Sequence, residues 1–420
     1  MLARLTKHPI VRNALSLYGI QLASYVLPLL TFPYLARVLG TGKFGLIATS
    51  QAFVGYFLVI TEYGFNFSVT REISVARDDS QQLCRIYTSA MAARVLLMLG
   101  SLLLMTAIVF SFPKLRADWA VFYISFLTVI GSALFPQWLF QGLEKMGFIT
   151  VREIGARLIG LLTIFFLVRT SADYLWAAAV MSGSSAVAGL VGLLYVEKLT
   201  GVRFTTTSWR EIRQLLREGW HIFLSTAAIT LYTRSNLFVL WLVASDAEAG
   251  MFAAASRLIE AAKGLVFPMS TSIYPHISRL AVESRPKAVS FIRKSIPRMA
   301  WPFLALSLGL GVLAPLGIHI VYGSKYDGSI PLLQIMSPIP IVVGLGVCFA
   351  TFYMLGLGYK RQWSNMIMAA SLFNFVVLFP LLWLMRAPYA VAITSTAVEC
   401  FVTAASYLFF QRKESQSEKG

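Results

Sequence analysis

Seven ionisable side chains lie inside stretches of sequence that are otherwise long and apolar enough to cross a membrane. The set comprises four bases and three acids: Arg94, Arg234, Arg257, Lys263, Glu62, Glu260 and Glu399. Each charge at the centre of a membrane-spanning helix costs about 2.5–3.5 kcal/mol on insertion scales. We therefore expect these side chains to face protein, water or one another rather than lipid.

The bases in the second half of the chain have the chemistry of an anion-binding site. Arg257 and Lys263 lie on one predicted helix, and Arg234 lies on the helix before it. A guanidinium donates two hydrogen bonds to two oxygens, which suits arginine to phosphate groups. Arg234, Arg257 and Lys263 are thus predicted to line a cationic substrate-binding cavity. The alternative is structural, because Glu260 is spaced to pair with Arg257 or Lys263 on the same helix.

The remaining buried charges are candidates for supporting roles. Glu62, Glu260 and Glu399 are predicted to be cavity or coupling acids, with H+ or Na+ as the coupling ion. The alternative source of energy is consumption of the substrate on the outer side of the membrane, which would drive the cycle forward. Arg94 lies near the inner end of its predicted helix, where it would either join the cavity or reach the lipid headgroups.

Four prolines mark positions where helices are expected to bend. Pro28 and Pro33 lie in the first predicted helix, and Pro268 and Pro275 lie in the eighth. Each removes an intrahelical hydrogen bond and kinks the backbone. They are candidate hinges, although membrane helices also tolerate proline without a moving role.

The sequence lacks the common motifs of a chemical reaction. It has no G-x-x-x-x-G-K-[ST] phosphate loop and no H-E-x-x-H or G-x-S-x-G motif. We expect no ATP hydrolysis, no bound metal and no cofactor beyond a coupling ion. The chain is predicted not to be an enzyme.

Composition places these residues in a membrane protein. Of 420 residues, 57% are hydrophobic and 13% are charged, with a mean hydropathy of +0.70. Soluble domains carry about 25% charged residues, so this chain has too little polar surface to cover itself in water. Basic cytoplasmic loops account for the formal charge of +17, and no nucleic-acid partner is expected.

Hydropathy predicts an all-α integral membrane protein with twelve transmembrane helices, since about twenty apolar residues cross a bilayer. The predicted spans are 13–36, 44–69, 87–110, 118–140, 154–169, 174–196, 219–243, 250–277, 298–321, 330–357, 363–385 and 388–410. With the N-terminus inside, the inner segments hold 25 Lys and Arg residues and the outer loops hold seven. Because basic residues concentrate on the cytoplasmic side, both termini are predicted to be cytoplasmic.

A basic stretch between the sixth and seventh spans separates two predicted bundles of six helices. The predicted parts are an N-terminal bundle (1–200), a cytoplasmic amphipathic linker (201–218), a C-terminal bundle (219–410) and a cytoplasmic tail (411–420). Helices two and eight open alike, at Gly45 and Gly250. Such similarity is expected of transporters built from two parallel repeats.

The linker is predicted to contain an amphipathic helix. Ser208 and Glu211 have the spacing of a capping box. Trp209, Ile212 and Leu215 fall on one face, with arginines opposite. The pattern suits a helix that lies on the anionic cytoplasmic leaflet. Such a helix serves either as a structural linker or as a functional switch.

Six stretches spread from the first helix to the last resemble one family of membrane transporters. They are LPLLTFPYLARVLG (27–40), EYGFN (62–66), PQWLFQGLEKM (136–146), GWHIFLSTAAITLY (219–232), SIYPHIS (272–278) and VECFVTA (398–404). In number and order they resemble the Wzx O-antigen flippases. These belong to the polysaccharide-transport branch of the MOP superfamily, which also contains the MATE drug exporters.

The resemblance implies two six-helix bundles around a central hydrophilic cavity lined by helices one, two, seven and eight. It implies that an undecaprenyl-pyrophosphate-linked oligosaccharide moves by alternating access from the cytoplasmic to the periplasmic leaflet of a bacterial inner membrane. Glu62, Arg234, Arg257 and Lys263 would then lie on cavity-lining helices. The expected partners are membrane lipids, a polysaccharide polymerase and a chain-length regulator.

Two other functions fit the same composition. A MATE-type multidrug or ion antiporter shares the fold, but its typically cationic substrates disfavour a net-positive cavity. A membrane enzyme of polysaccharide assembly, such as a polymerase or ligase, has similar hydropathy but carries a large periplasmic loop, which this sequence lacks.

Overall fold

The computed structural model of the protein describes residues 9–417, and within this range the chain forms helices without any β-strand. Helices α1 to α8 are Pro9–Glu62, Phe65–Val75, Ser80–Ser111, Pro113–Ala117, Trp119–Leu134, Gln137–Gly142, Met146–Leu167 and Tyr174–Thr200. Helices α9 to α17 are Trp209–Val243, Asp246–Gly264, Val266–Glu283, Arg285–Val312, Ala314–Val321, Ser329–Met336, Ile339–Gly346, Lys360–Leu384 and Ala387–Ser417. A π-helix, Val347–Leu355, precedes α16. Residues 1–8 of the predicted N-terminal bundle and 418–420 of the predicted tail lie outside the described residues.

The prediction of an all-α, multi-pass membrane protein is confirmed. Seven helical segments among residues 27–416 are long and apolar enough to cross a membrane. An eighth is added if α12 and α13, bent by 74° at their junction, form one span. The number of twelve stays a prediction. The fifth, seventh and eighth predicted spans are not among these segments. They overlap α7, α9 and α10, each of which contains three or more charged residues.

Breaks in the helices occur where the backbone leaves the right-handed helical region. α1 is interrupted at Gly40, whose φ is 72°. The same helix ends before Tyr63 and Gly64, which have φ values of 48° and 75°. α5 gives way to α6 at the Phe135–Pro136 step. These positions, rather than long flexible loops, redirect the chain within its helical segments.

The predicted hinge prolines do not coincide with these breaks. Pro28, Pro33 and Pro275 lie inside helices. Pro268 lies in the first turn of α11, where the missing N–H has no intrahelical partner in any case. A moving role for the four prolines stays a prediction.

Two compact units make up the chain. Unit 1 contains the chain up to Leu39 and Leu46–Thr230, and unit 2 contains Gly40–Gly45 and the chain from Leu231 onward. The boundary between the units lies inside α9. The predicted limits of the two bundles, at residues 200 and 219, stay predictions.

The predicted linker helix is the beginning of α9. Its capping box is present, since Glu211 N donates to Ser208 Oγ at 3.3 Å and Ser208 N donates to Glu211 Oε2 at 2.9 Å. Ile212 and Leu215 are buried in the core of unit 1, while Trp209 is exposed. Protein therefore covers Ile212 and Leu215, and contact of these two residues with the leaflet is wrong. A structural linker agrees with the unbroken run of α9 to Val243.

Glycines bring pairs of helices into close contact in each unit. In unit 1, a Cβ at Gly131 of α5 or at Gly189 of α8 would lie 2.3 Å from a backbone oxygen of the other helix. In unit 2, a Cβ at Gly250 of α10 would lie 2.0 Å from the carbonyl oxygen of Thr41, and one at Gly45 would meet Asp246 O at 2.0 Å. The two residues that begin the predicted repeats thus pack against each other's helix.

Gly250→Ala is expected to destabilise the protein, because the atom that obstructs the new methyl group is backbone and cannot rotate away. Overpacking of this kind costs about 1–3 kcal/mol, so the Tm of the purified protein should fall by several degrees. Gly100→Ala is the matched control, since nothing lies within 4 Å of its Cβ position. Equal Tm values for the two variants would contradict the packing described here.

Candidate functional site

Side chains from three helices of unit 2 meet at Glu399. Lys263 Nζ on α10 donates to Glu399 Oε1 on α17 at 2.5 Å. Tyr232 on α9 lies within electrostatic range of the same carboxylate. Both members of the ion pair are half-buried. One predicted substrate-binding base and one predicted coupling acid are therefore in direct contact.

Arg257 on α10 forms a second, more exposed pair. Its Nη1 donates to Glu260 Oε2 at 3.0 Å. The side chain of Arg257 is 31% exposed and that of Glu260 is 62% exposed. The spacing of the sequence allowed Glu260 to pair with either neighbouring base, and in the structure it contacts Arg257.

Arg234 lies on α9 with an exposed side chain. Two residues further on, Asn236 Nδ2 donates to Ser395 Oγ of α17 at 2.9 Å, which fixes this part of α9 beside the helix that carries Glu399. The three predicted bases thus lie on two helices, α9 and α10, that both contact α17. Glu260 and Glu399 pair with two of these bases, so the five side chains together carry a formal charge of +1.

A different set of predicted residues meets inside unit 1, centred on Arg94. Its side chain is 2% exposed. Nη1 donates to the carbonyl oxygen of Phe135 at 2.8 Å, and Nη2 donates to Ser132 Oγ at 3.0 Å. Ser132 Oγ in turn donates to Glu62 Oε1 at 3.1 Å. Arg94 therefore connects the end of α1 with the break between α5 and α6.

This geometry corrects one of the two interpretations of Arg94. A side chain that reaches the headgroups would be exposed at its charged end, whereas Arg94 points into protein. The reason is local: the break at Phe135–Pro136 takes the Phe135 carbonyl oxygen out of the helical hydrogen-bond ladder, and Arg94 joins Gln137 N as a donor to it. A role in a substrate cavity stays a prediction for both Arg94 and Glu62.

A second arginine, not singled out from the sequence, lies beside this cluster. The guanidinium of Arg152 on α7 lies 3.9 Å from the centre of the Phe135 ring, in the geometry of a cation–π contact. Its Nη1 also donates to Glu153 Oε1 at 2.9 Å. The only signal in the sequence was two adjacent charges, Arg152 and Glu153, just before the fifth predicted helix.

Comparisons with known proteins identify relatives over nearly the whole chain. Residues 10–281 match the family model described as polysaccharide biosynthesis protein. The chain is 32% identical over 403 residues to the "Putative O-antigen transporter" of Escherichia coli (strain K12), covering 96% of this chain and 97% of that protein. A protein of the same name from Shigella dysenteriae is 30% identical over 376 residues, covering 89% and 93%.

Solved structures share the fold at low sequence identity. An inward-facing multidrug resistance MATE family transporter of the MOP superfamily has a TM-score of 0.74 at 14% identity, covering 94% of this chain and 96% of its own. The lipid II flippase MurJ in an inward closed conformation also has a TM-score of 0.74, at 11% identity, covering 96% and 87%. The resemblance to a MATE-like fold is confirmed. The names of the sequence relatives agree with transport rather than with an enzymatic reaction.

Proposed function

The chain belongs to the polysaccharide biosynthesis protein family, and from this membership we propose that it is a lipid-linked oligosaccharide flippase. The substrate is an O-antigen-type repeat unit carried on undecaprenyl pyrophosphate, which moves from the cytoplasmic to the periplasmic leaflet. The observation that carries the proposal is the match along 96% of the chain to a protein named as an O-antigen transporter.

The excess positive charge in unit 2 supports an anionic substrate. Arg234 is exposed and the side chain of Arg257 is 31% exposed, so a phosphate group in solvent can contact both. Arginine holds two phosphate oxygens at once. In this proposal the pyrophosphate replaces Glu260 as the partner of Arg257, and Lys263 adds a third positive charge.

The membrane arrangement follows from the same membership and from the distribution of basic residues. We propose twelve transmembrane helices in two six-helix bundles in a bacterial inner membrane, with alternating access and both termini in the cytoplasm. Reporter fusions after Lys198 and Arg412 measure this orientation. A polysaccharide polymerase and a chain-length regulator are the proposed protein partners, and membrane lipids surround the bundles.

Energy coupling is proposed at the acids that contact the bases. Glu399 is half-buried and paired with Lys263, so a proton or Na+ on Glu399 would weaken that pair and release the lysine for the substrate. Glu62 is the corresponding candidate in unit 1. A multidrug antiporter would use similar coupling, but cationic drugs are repelled by a site with more bases than acids.

The test of the function is deletion of the gene in its own host. We expect loss of the surface polysaccharide and accumulation of lipid-linked repeat units on the cytoplasmic side, with recovery of both when the wild-type chain is expressed. Lipid extraction with mass spectrometry and polysaccharide gels measure the two effects. Normal polysaccharide in the deletion strain, with no second transporter gene in that strain, would exclude the proposal.

A further inference from the structure

A cavity of about 900 Å³ lies in unit 1 between α2, the first turns of α3 and the first turns of α9. Its volume is within the range of about 300–1,000 Å³ that is usual for small-molecule sites. The side chains that line it include Arg71, Glu72, Gln82, Arg85, Glu211 and Glu218. The cavity shares no residue with the predicted cationic site of unit 2, and none of its residues was predicted to bind a ligand.

The lining of this cavity suits hydroxyl groups better than phosphates. Its three carboxylates outnumber its two guanidiniums, so the formal charge of the lining is −1 and an anion is repelled. Carboxylates accept hydrogen bonds, whereas guanidiniums and amides donate them. A sugar hydroxyl both donates and accepts, and neighbouring hydroxyls on a ring can contact a carboxylate and a donor at the same time.

Glu72 has an unmet hydrogen bond at the cavity. Its Oε1 is buried and has no donor among the described residues. The carboxyl group of Glu218 on α9 lies within hydrogen-bonding range of the Glu72 carboxyl group, and Gln214 Nε2 donates to Glu218 Oε1 at 3.0 Å. Because a buried acceptor without a donor is costly, this oxygen is a place where a ligand hydroxyl would bind favourably.

Apolar side chains at the same cavity provide the second kind of contact that a sugar ring uses. Phe67 is 70% exposed and Val75 is 80% exposed, and both line the cavity from α2. The C–H face of a pyranose ring is apolar, so it gains by covering such surface. Apolar surface next to convergent hydrogen-bonding groups is typical of a ligand site.

We propose that this cavity binds the sugar portion of the substrate through hydroxyl groups that contact Glu72, Glu218 and Gln82. The inference rests on the proposed function and deepens it, because it separates the recognition of sugars in unit 1 from the recognition of phosphate by the bases of unit 2. The end of α2 and the starts of α3 and α9 belong to segments that the charge distribution places in the cytoplasm. The proposed substrate starts on that side.

The test uses purified full-length protein and a soluble probe. The probe is the oligosaccharide repeat released from the host's own surface polysaccharide, titrated by calorimetry. We expect saturable binding to the wild type and at least about tenfold weaker binding to Glu72→Ala, since a hydrogen bond to a charged group is lost. Glu72→Gln keeps an acceptor oxygen and should lose less affinity. Asp78→Asn, an exposed acid in the α2–α3 connection, is the matched control and should bind like the wild type.

Two results would overturn the inference: no saturable oligosaccharide binding to the wild type, or equal affinities for the wild type and Glu72→Ala. If Glu72→Ala folds poorly, Gln82→Ala takes its place, because this exposed side chain has little effect on folding. If the Glu72–Glu218 pair takes up a proton but no oligosaccharide binds, the inference is overturned and the pair is a proton-binding site instead. Inorganic pyrophosphate is the second probe, and its binding should depend on Arg257 but not on Glu72. If pyrophosphate binding does not depend on Arg257, the anion site of the proposed function is contradicted, whatever the result for the sugar site.

Discussion

Replacement of Arg257 by alanine is expected to reduce surface polysaccharide at least about tenfold while leaving the amount of protein in the membrane unchanged. The magnitude follows from the loss of a charge-assisted hydrogen bond to phosphate, about 1.5–3 kcal/mol. The structure separates this effect from stability. Arg257 and Glu260 are both partly exposed, and such pairs contribute only about 0–1 kcal/mol to folding. Arg257→Lys should recover function only in part, because it restores the charge but not the bidentate geometry.

The double variant Arg257→Ala with Glu260→Ala decides between substrate binding and a structural ion pair. If the arginine binds the substrate, removing its acidic partner does not restore function. Recovery close to the wild type would show that the orphaned carboxylate caused the defect, and the substrate-binding role would be lost. Arg386→Ala is the control, since this arginine also belongs to unit 2 and is 80% exposed. Polysaccharide is measured on gels at matched membrane abundance.

Arg234→Ala is expected to have the same phenotype as Arg257→Ala, for the same reason. Lys263→Ala is less informative, because its partner Glu399 is mostly shielded from solvent and would be left without a counter-charge. Reduced polysaccharide in Lys263→Ala therefore combines lost substrate binding with local destabilisation. The double variant Lys263→Ala/Glu399→Gln separates the two, because it leaves no carboxylate without a counter-charge.

The helical fold was predictable because its signals are local. Apolar runs of about twenty residues and the excess of basic residues in alternate loops fix where helices lie and how many are expected. The capping box at Ser208 and Glu211 was also readable, since it depends on two side chains three positions apart. The burial of Ile212 and Leu215 on the following apolar face was not predictable, because it depends on how α9 packs into unit 1.

The contacts of the charged residues were not predictable in the same way. Glu399 was recognised as an intramembrane acid, but its partner Lys263 lies 136 positions away in the chain. Only the packing of α10 against α17 brings the two together. The positions of Glu72 and Glu218 on either side of one cavity depend equally on tertiary structure, since each looks like an ordinary loop or linker acid in the sequence.

Arg94→Ala is expected to be the most destabilising substitution in unit 1. It removes one of the two donors to the carbonyl oxygen of Phe135, leaving Gln137 N. It also removes the charge that offsets Glu62 through Ser132. Breaking a buried charged network by deleting one member costs about 3–5 kcal/mol, which for a marginally stable protein should remove most of it from the membrane. Arg94→Lys keeps the charge but makes fewer directed hydrogen bonds, so an intermediate abundance is expected.

The acid at the other end of this network provides the control for Arg94. Glu62→Gln keeps an acceptor for the Ser132 hydroxyl, so the protein should reach normal abundance. Its export of polysaccharide should fall, however, if Glu62 is a cavity or coupling acid. Combining Arg94→Ala with Glu62→Gln should recover part of the lost abundance, because no carboxylate is then left without its counter-charge. Recovery is only partial, because the hydrogen bond from Arg94 to the Phe135 carbonyl oxygen is still lost. Immunoblots of membranes and the Tm of purified protein measure this recovery. A normal Tm for Arg94→Ala alone would show that the contacts among Arg94, Ser132 and Glu62 do not stabilise the two helix breaks. A loss of export in Glu62→Gln would then be due to the missing carboxylate and not to a weakened network.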